Sequence, residues 1–107
     1  MTLPAVGTFA DGVAVAQIGA HGFDICRFCV DEVMTVANDQ LCAAIRDIYD
    51  DTRSITEPSG ALAVAGIKQY VAQSAAQAQT LVAINSGANI NFDSLRHVAE
   101  RAAVAIA

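Results

Sequence analysis

Apolar residues change their spacing several times along this chain, and each change marks a new predicted element. After Gly19 and Gly22, residues Phe23, Cys26 and Val30 recur at i, i+3 and i+7, the spacing of one helix face. Val33 to Val36 is short, apolar and partly β-branched, which predicts a buried strand. Asn38 or Asp39 then offers an N-cap for an amphipathic helix whose Leu41, Ile45, Ile48 and Tyr49 share a face. On its outer side Arg46 and Asp50 can pair at i, i+4 while Asp47 and Asp51 repel, so this acidic stretch reads as a solvated face.

Pro58 suits the first turn of a further helix, because the donor it lacks would be unpaired there anyway. The run Gly60 to Ile67 is apolar all round, a pattern that calls for burial on every face. The alanine-rich VAQSAAQAQ predicts a fraying helix end or connection, and Thr80 to Ile84 a second buried strand. That strand runs into the small, polar Asn85-Ser86-Gly87-Ala88-Asn89, and a last helix carries Phe92, Leu95, Ala99 and Ala102 on one face. Pro4 to Val15, with Gly7 and Gly12, reads as an extended loop. Helices alternating with short apolar strands predict an α/β fold. Strand, glycine loop and helix in succession form the unit with which open α/β sheets contact ligands.

Composition changes this picture in one respect. A chain of 107 residues forms one domain or a piece of one. Its residues are 54% hydrophobic and only 16% charged, against about 45–50% apolar in typical domains, so polar residues are scarce for covering a small domain. Several segments are therefore expected to lie inside something larger. The net charge of −5, with six scattered basic residues, excludes a nucleic-acid partner. No apolar run reaches the roughly 20 residues of a membrane span. MTLPAVGTFADG lacks the basic start and apolar core of a signal peptide, so a cytoplasmic location and no membrane partner are expected. Three cysteines cannot all pair, which points to reduced thiols.

Candidate chemistry is sparse. Cys26-Arg27-Phe28-Cys29 has the CxxC form of redox and zinc sites, but only Cys42 remains as a further thiol, and His21 and His97 have no ligand spacing. No metal site is expected, and Cys26 reads as a small buried hydrophobe on its helix face. Lys68 is the only lysine, yet it falls at the polar end of a helix and not in the desolvated pocket a nucleophilic lysine needs. It reads as a surface residue. His97 lies on the polar side of the last helix, where Arg96 and Glu100 can pair. Ser86 stands at the mouth of a predicted strand beside Gly87, which lets backbone approach a ligand; the same pattern also describes a plain turn. Glu57 before Pro58 is an acidic residue at a helix start, favoured there by the dipole.

Five segments resemble the threonine dehydratase (threonine ammonia-lyase) family: Phe9-Ala10-Asp11-Gly12-Val13-Ala14-Val15, Val33 to Val36, Leu41-Cys42-Ala43-Ala44, Glu57-Pro58-Ser59-Gly60-Ala61-Leu62-Ala63, and Ser86-Gly87-Ala88-Asn89-Ile90-Asn91-Phe92. They occur in the family's order across nearly the whole chain. The resemblance implies the type II fold of pyridoxal phosphate enzymes, related to the tryptophan synthase β chain, an open sheet with flanking helices. It implies pyridoxal phosphate as cofactor, with Ser86 hydrogen-bonding the pyridine nitrogen and Gly87, Gly12 and Glu57 beside it. A neutral hydroxyl at that nitrogen weakens the electron sink and favours elimination. The implied reaction is β-elimination of L-threonine to 2-oxobutanoate and ammonia, as in isoleucine biosynthesis.

The family's Schiff-base lysine, in a Ser-x-Lys context, and its glycine-rich phosphate loop have no counterpart here, so no catalytic residue is assigned. Residues 1–107 are thus expected to be the C-terminal portion of a catalytic domain, inactive alone, without a regulatory domain, and part of a homo-oligomer as the full enzyme. Two alternatives stand beside this reading: an L-serine dehydratase or serine racemase of the same family, and a non-catalytic module that oligomerises through exposed apolar faces. A redox protein using Cys26 and Cys29 is a third.

Overall fold

The computed structural model describes residues 2–106, which form four α-helices: α1 (Ala20–Cys29), α2 (Asn38–Thr52), α3 (Pro58–Ser74) and α4 (Ser94–Ile106). A single 3-10 turn, Asp11–Val13, interrupts the N-terminal loop. Helix α2 is the hub. It packs against α4 on one side and α3 on the other, and the 3-10 turn docks on α3. The core where they meet is built from Leu41, Cys42, Ala44 and Ile45 of α2, Ala61 and Ala65 of α3, and Val98 and Ala102 of α4. Alanine at four of these eight positions lets the helix backbones approach closely, and the larger Leu41, Ile45 and Val98 fill what remains.

Local chemistry sets the helix ends. The N-cap of α2 is Ala37, one residue before the expected Asn38 or Asp39, and the Gln40 carboxamide oxygen accepts from the Ala37 N–H at 2.7 Å. That bond satisfies the N-cap's own N–H, while alanine has no side-chain acceptor for the amides of the first turn. Pro58 opens α3 as expected. Helices α2 and α3 end at Arg53 and Ala75, both left-handed, with φ of 60° and 50°. Arg53 also lies over the Tyr49 ring, 5.4 Å from its centroid.

Ion pairs differ from those the spacing predicts. Asp39 of α2 accepts two bonds from the Arg101 guanidinium of α4, at 2.6 and 2.9 Å. Asp47 takes both Arg46, at 3.7 Å, and Lys68 of α3. Arg46 with Asp50, and Arg96 with Glu100, do not pair among the described residues. Forked inter-helix geometry holds Asp39 and Arg101 better than exposed neighbours on one helix could be held. Cys42 sits beneath the Asp39 and Arg101 pair; burial, helped by the Asp39 charge and opposed by Arg101, pushes its thiol above the ordinary range.

Four expectations are not met in this structure. The segments 33–36 and 80–84 are not strands; no strand occurs among the described residues. A strand exists only through ladder bonds to a neighbour, and these segments have none in this chain. Val33, Val82 and Ile84 stand in the open, 84%, 83% and 76% exposed, while Val36 packs against the core. Helix α1 packs against no other helix, so Cys26 is exposed and not buried. In α4 the buried pair is Val98 and Ala102, whereas Phe92 precedes the helix and is exposed. The all-apolar run of α3 buries Gly60, Ala61 and Ala65, and leaves Leu62 and Ala63 exposed.

The chain consequently shows more surface than its mass warrants. Its accessible area is 7827 Å², against about 5,700 Å² for a self-contained monomer of 11.1 kDa. Its radius of gyration is 14.7 Å, against about 13 Å for a compact chain of this length. Stability must therefore concentrate in the α2, α3 and α4 core. Ile45→Ala, at a position 3% exposed, is expected to cost about 2–5 kcal/mol, read as a lower urea midpoint by circular dichroism.

Candidate active site

The candidate site forms where the loop after residue 84 meets the N-terminus of α3. Two backbone bonds join them: the Glu57 N–H donates to the Gly87 carbonyl at 3.0 Å, and the Ser86 N–H to the Gly60 carbonyl at 3.4 Å. Gly60 is needed for this backbone approach, and Gly87 for the place of the Glu57 carboxylate. A Cβ on Gly60 would collide with the Gly87 carbonyl oxygen and lie 2.8 Å from the Gly87 nitrogen, and a Cβ on Gly87 would overlap Glu57 Oε1.

Gly12, in the 3-10 turn, closes the group from the other side. A Cβ there would stand 2.8 Å from Ser59 Oγ and 3.6 Å from Glu57 Oε2. The Glu57 carboxylate thus lies between two glycines, one oxygen facing Gly87 and the other Gly12. Although Glu57 is the N-cap of α3, its side chain makes no capping bond and is free for other work. Ser86 is exposed at the edge of the group. Gly12, Glu57, Ser86 and Gly87, all singled out in the sequence, are therefore brought together.

Sequence reasoning missed three neighbours. The Ser59 and Thr56 hydroxyls are buried without a hydrogen-bond partner among the described residues, and Gly60 meets the Gly87 backbone. The signal for Gly60 was its place in the first turn of a helix, where glycine is costly unless close approach demands it. A cleft of about 260 Å³ adjoins the group, lined by Thr8, Asp11, Pro58, Asn89, Asn91 and Ser94 among others. Lys68 lies apart, exposed and paired with Asp47. Cys26 and Cys29 lie on the unpacked α1; no group of three His, Cys, Asp or Glu side chains that could hold a metal ion occurs among the described residues. His97 meets Phe9 edge-on, with ring centroids 5.7 Å apart. No helix among the described residues is long and apolar enough to cross a membrane.

Small glycine walls, an exposed hydroxyl, a carboxylate and an orphaned hydroxyl suit a flat, polar heteroaromatic ring, which needs close backbone and few but definite hydrogen bonds. Comparison with known proteins gives the class. The family model for pyridoxal-phosphate dependent enzymes matches residues 2–87, and the chain belongs to that family. It is 57% identical over 102 residues to the biosynthetic L-threonine dehydratase of Burkholderia multivorans, covering 95% of this chain and 20% of that protein. With the mitochondrial threonine dehydratase of Saccharomyces cerevisiae it shares 54% over 104 residues, covering 94% and 18%. Its fold is similar to that of processed threonine deaminase isoform 2 from Solanum lycopersicum, with a TM-score of 0.94 at 46% identity, over 96% of this chain and 28% of that one. The chain therefore spans about a fifth of the length of the curated relatives it matches.

The glycine contacts separate geometry from helix propensity. Gly66, mid-helix in α3 with nothing within 4 Å of an added Cβ, should be stabilised by Gly66→Ala by about 0.5–1 kcal/mol. Gly60→Ala should instead destabilise, by about 1–3 kcal/mol, because the residue 86–87 loop must move. Paired urea titrations read both; stabilisation by the two variants alike would contradict the close approach.

Proposed function

We propose that this chain supplies the cofactor-nitrogen side of the active site of a pyridoxal-phosphate-dependent L-threonine ammonia-lyase, as the C-terminal portion of its catalytic domain. The observation that carries this reading is the meeting of Gly12, Glu57 and the Ser86-Gly87 pair at the start of α3, although they lie far apart in the chain. Threonine dehydratases from bacteria and yeast, similar over almost all of this chain, support the choice of reaction.

Pyridoxal phosphate, when bound, supplies an electron sink for the substrate's α carbon. The chain's own residues hold and tune it. Ser86 would hydrogen-bond the ring nitrogen without fixing a proton there, since its hydroxyl is neutral. Gly12 and Gly87 let backbone close on the Glu57 carboxylate from both sides, and that carboxylate would border the ring. The outcome is β-elimination of threonine to 2-oxobutanoate and ammonia. Lys68, tied to Asp47 on the surface, takes no part, so the lysine that carries the cofactor comes from outside these residues.

In that setting segments 33–36 and 80–84 would be strands of an open α/β sheet whose neighbouring strands belong to the rest of the domain. The roughly 2,000 Å² of surplus surface and the exposed Val33, Val82 and Ile84 favour such an arrangement. The test is a chimera in which these 107 residues replace the matching segment of the Burkholderia multivorans enzyme. It should form 2-oxobutanoate from threonine, and the 107-residue chain alone should form none. A folded, cofactor-loaded chimera without product, or product from the chain alone, would overturn the reading.

A further inference from the structure

Ser59 is the second residue of α3, and its hydroxyl is sealed from solvent with no hydrogen-bond partner among the described residues. Buried hydroxyls in working proteins are almost always paired, so such a group marks a place where a partner is taken up. The Glu57 carboxylate stands two residues before it, at the same end of α3. Both Ser59 Oγ and Glu57 Oε2 border the point where Gly12 lacks a Cβ, at 2.8 and 3.6 Å. Both groups thus border one point, and what a bond between them requires is a change of side-chain rotamer. Glu57 in turn has no capping bond to hold its side chain in place.

We propose that Ser59 is a positioning residue: its hydroxyl donates to Glu57 Oε2 through the gap at Gly12 and fixes the carboxylate between Gly12 and Gly87. The role deepens the lyase reading and rests on it for its catalytic consequence. It also gives Gly12 a second function, because a methyl group there would occupy the gap through which the bond forms.

The test has two arms. In the chimera, Ser59→Ala should lower kcat about tenfold, as expected for loss of a hydrogen bond to a charged group, while Ser59→Thr, which keeps the hydroxyl, stays within about threefold. Gly12→Ala should lower kcat as Ser59→Ala does. In the chain labelled with 13C-glutamate, the Glu57 carboxyl resonance should move in Ser59→Ala and hold its place in Ser59→Thr. Full activity in Ser59→Ala, equal losses in Ala and Thr variants, or an unmoved Glu57 resonance would overturn the proposal. An inactive parent chimera would count against the lyase reading alone, and the resonance would still decide the role of Ser59.

Discussion

The close backbone approach of Gly60 and Gly87 is the constraint on which the site depends. Two hydrogen bonds, Glu57 to Gly87 and Ser86 to Gly60, pin a loop to the first turn of α3. The backbones come this close because Gly60 has no side chain, and the bare Gly87 leaves the Glu57 carboxylate its place beside them. Once the loop is pinned, Ser86 reaches the edge of the group and Glu57 is confined between Gly87 and Gly12. The helix itself is anchored elsewhere, by Ala61 and Ala65 against α2 and by Lys68 with Asp47. Packing in the core thus fixes where the N-terminus of α3 stands, and the glycine pair turns that position into a site.

Around this anchored centre much of the chain is open: Phe23, Ile25 and Phe28 of α1 and Val33, Val82 and Ile84 of the two apolar segments face solvent. Sheet formation is not local. A strand gains its ladder bonds and buries its faces only when neighbours are present, whereas a helix satisfies its own backbone. This difference explains why the helices stand here as regular elements and the apolar β-branched segments do not.

The same distinction governs what the sequence made legible. The 3.6 periodicity of Leu41, Ile45 and Ile48 and the placement of Pro58 led to α2 and α3 and, to within a residue, to where each begins. Patterning could not foresee that Cys26 would be exposed, since burial of a helix face depends on a partner outside the helix. Nor could it choose Arg101 for Asp39, 62 positions away. At the site, Gly12, Glu57, Ser86 and Gly87 were legible through family resemblance, and their meeting is a fact of geometry. Ser59 and Gly60 escaped notice because a serine and a glycine in a first helical turn are ordinary until their neighbours in space are known.

On the proposed reading this glycine-walled group borders the pyridine ring of the cofactor, which a crystal structure of the cofactor-loaded chimera would reveal. Ser86 Oγ should then lie within about 3.2 Å of the ring nitrogen, with Gly12, Glu57 and Gly87 around the ring. A cofactor ring seated away from Ser86, with the group at the start of α3 left to solvent, would contradict it.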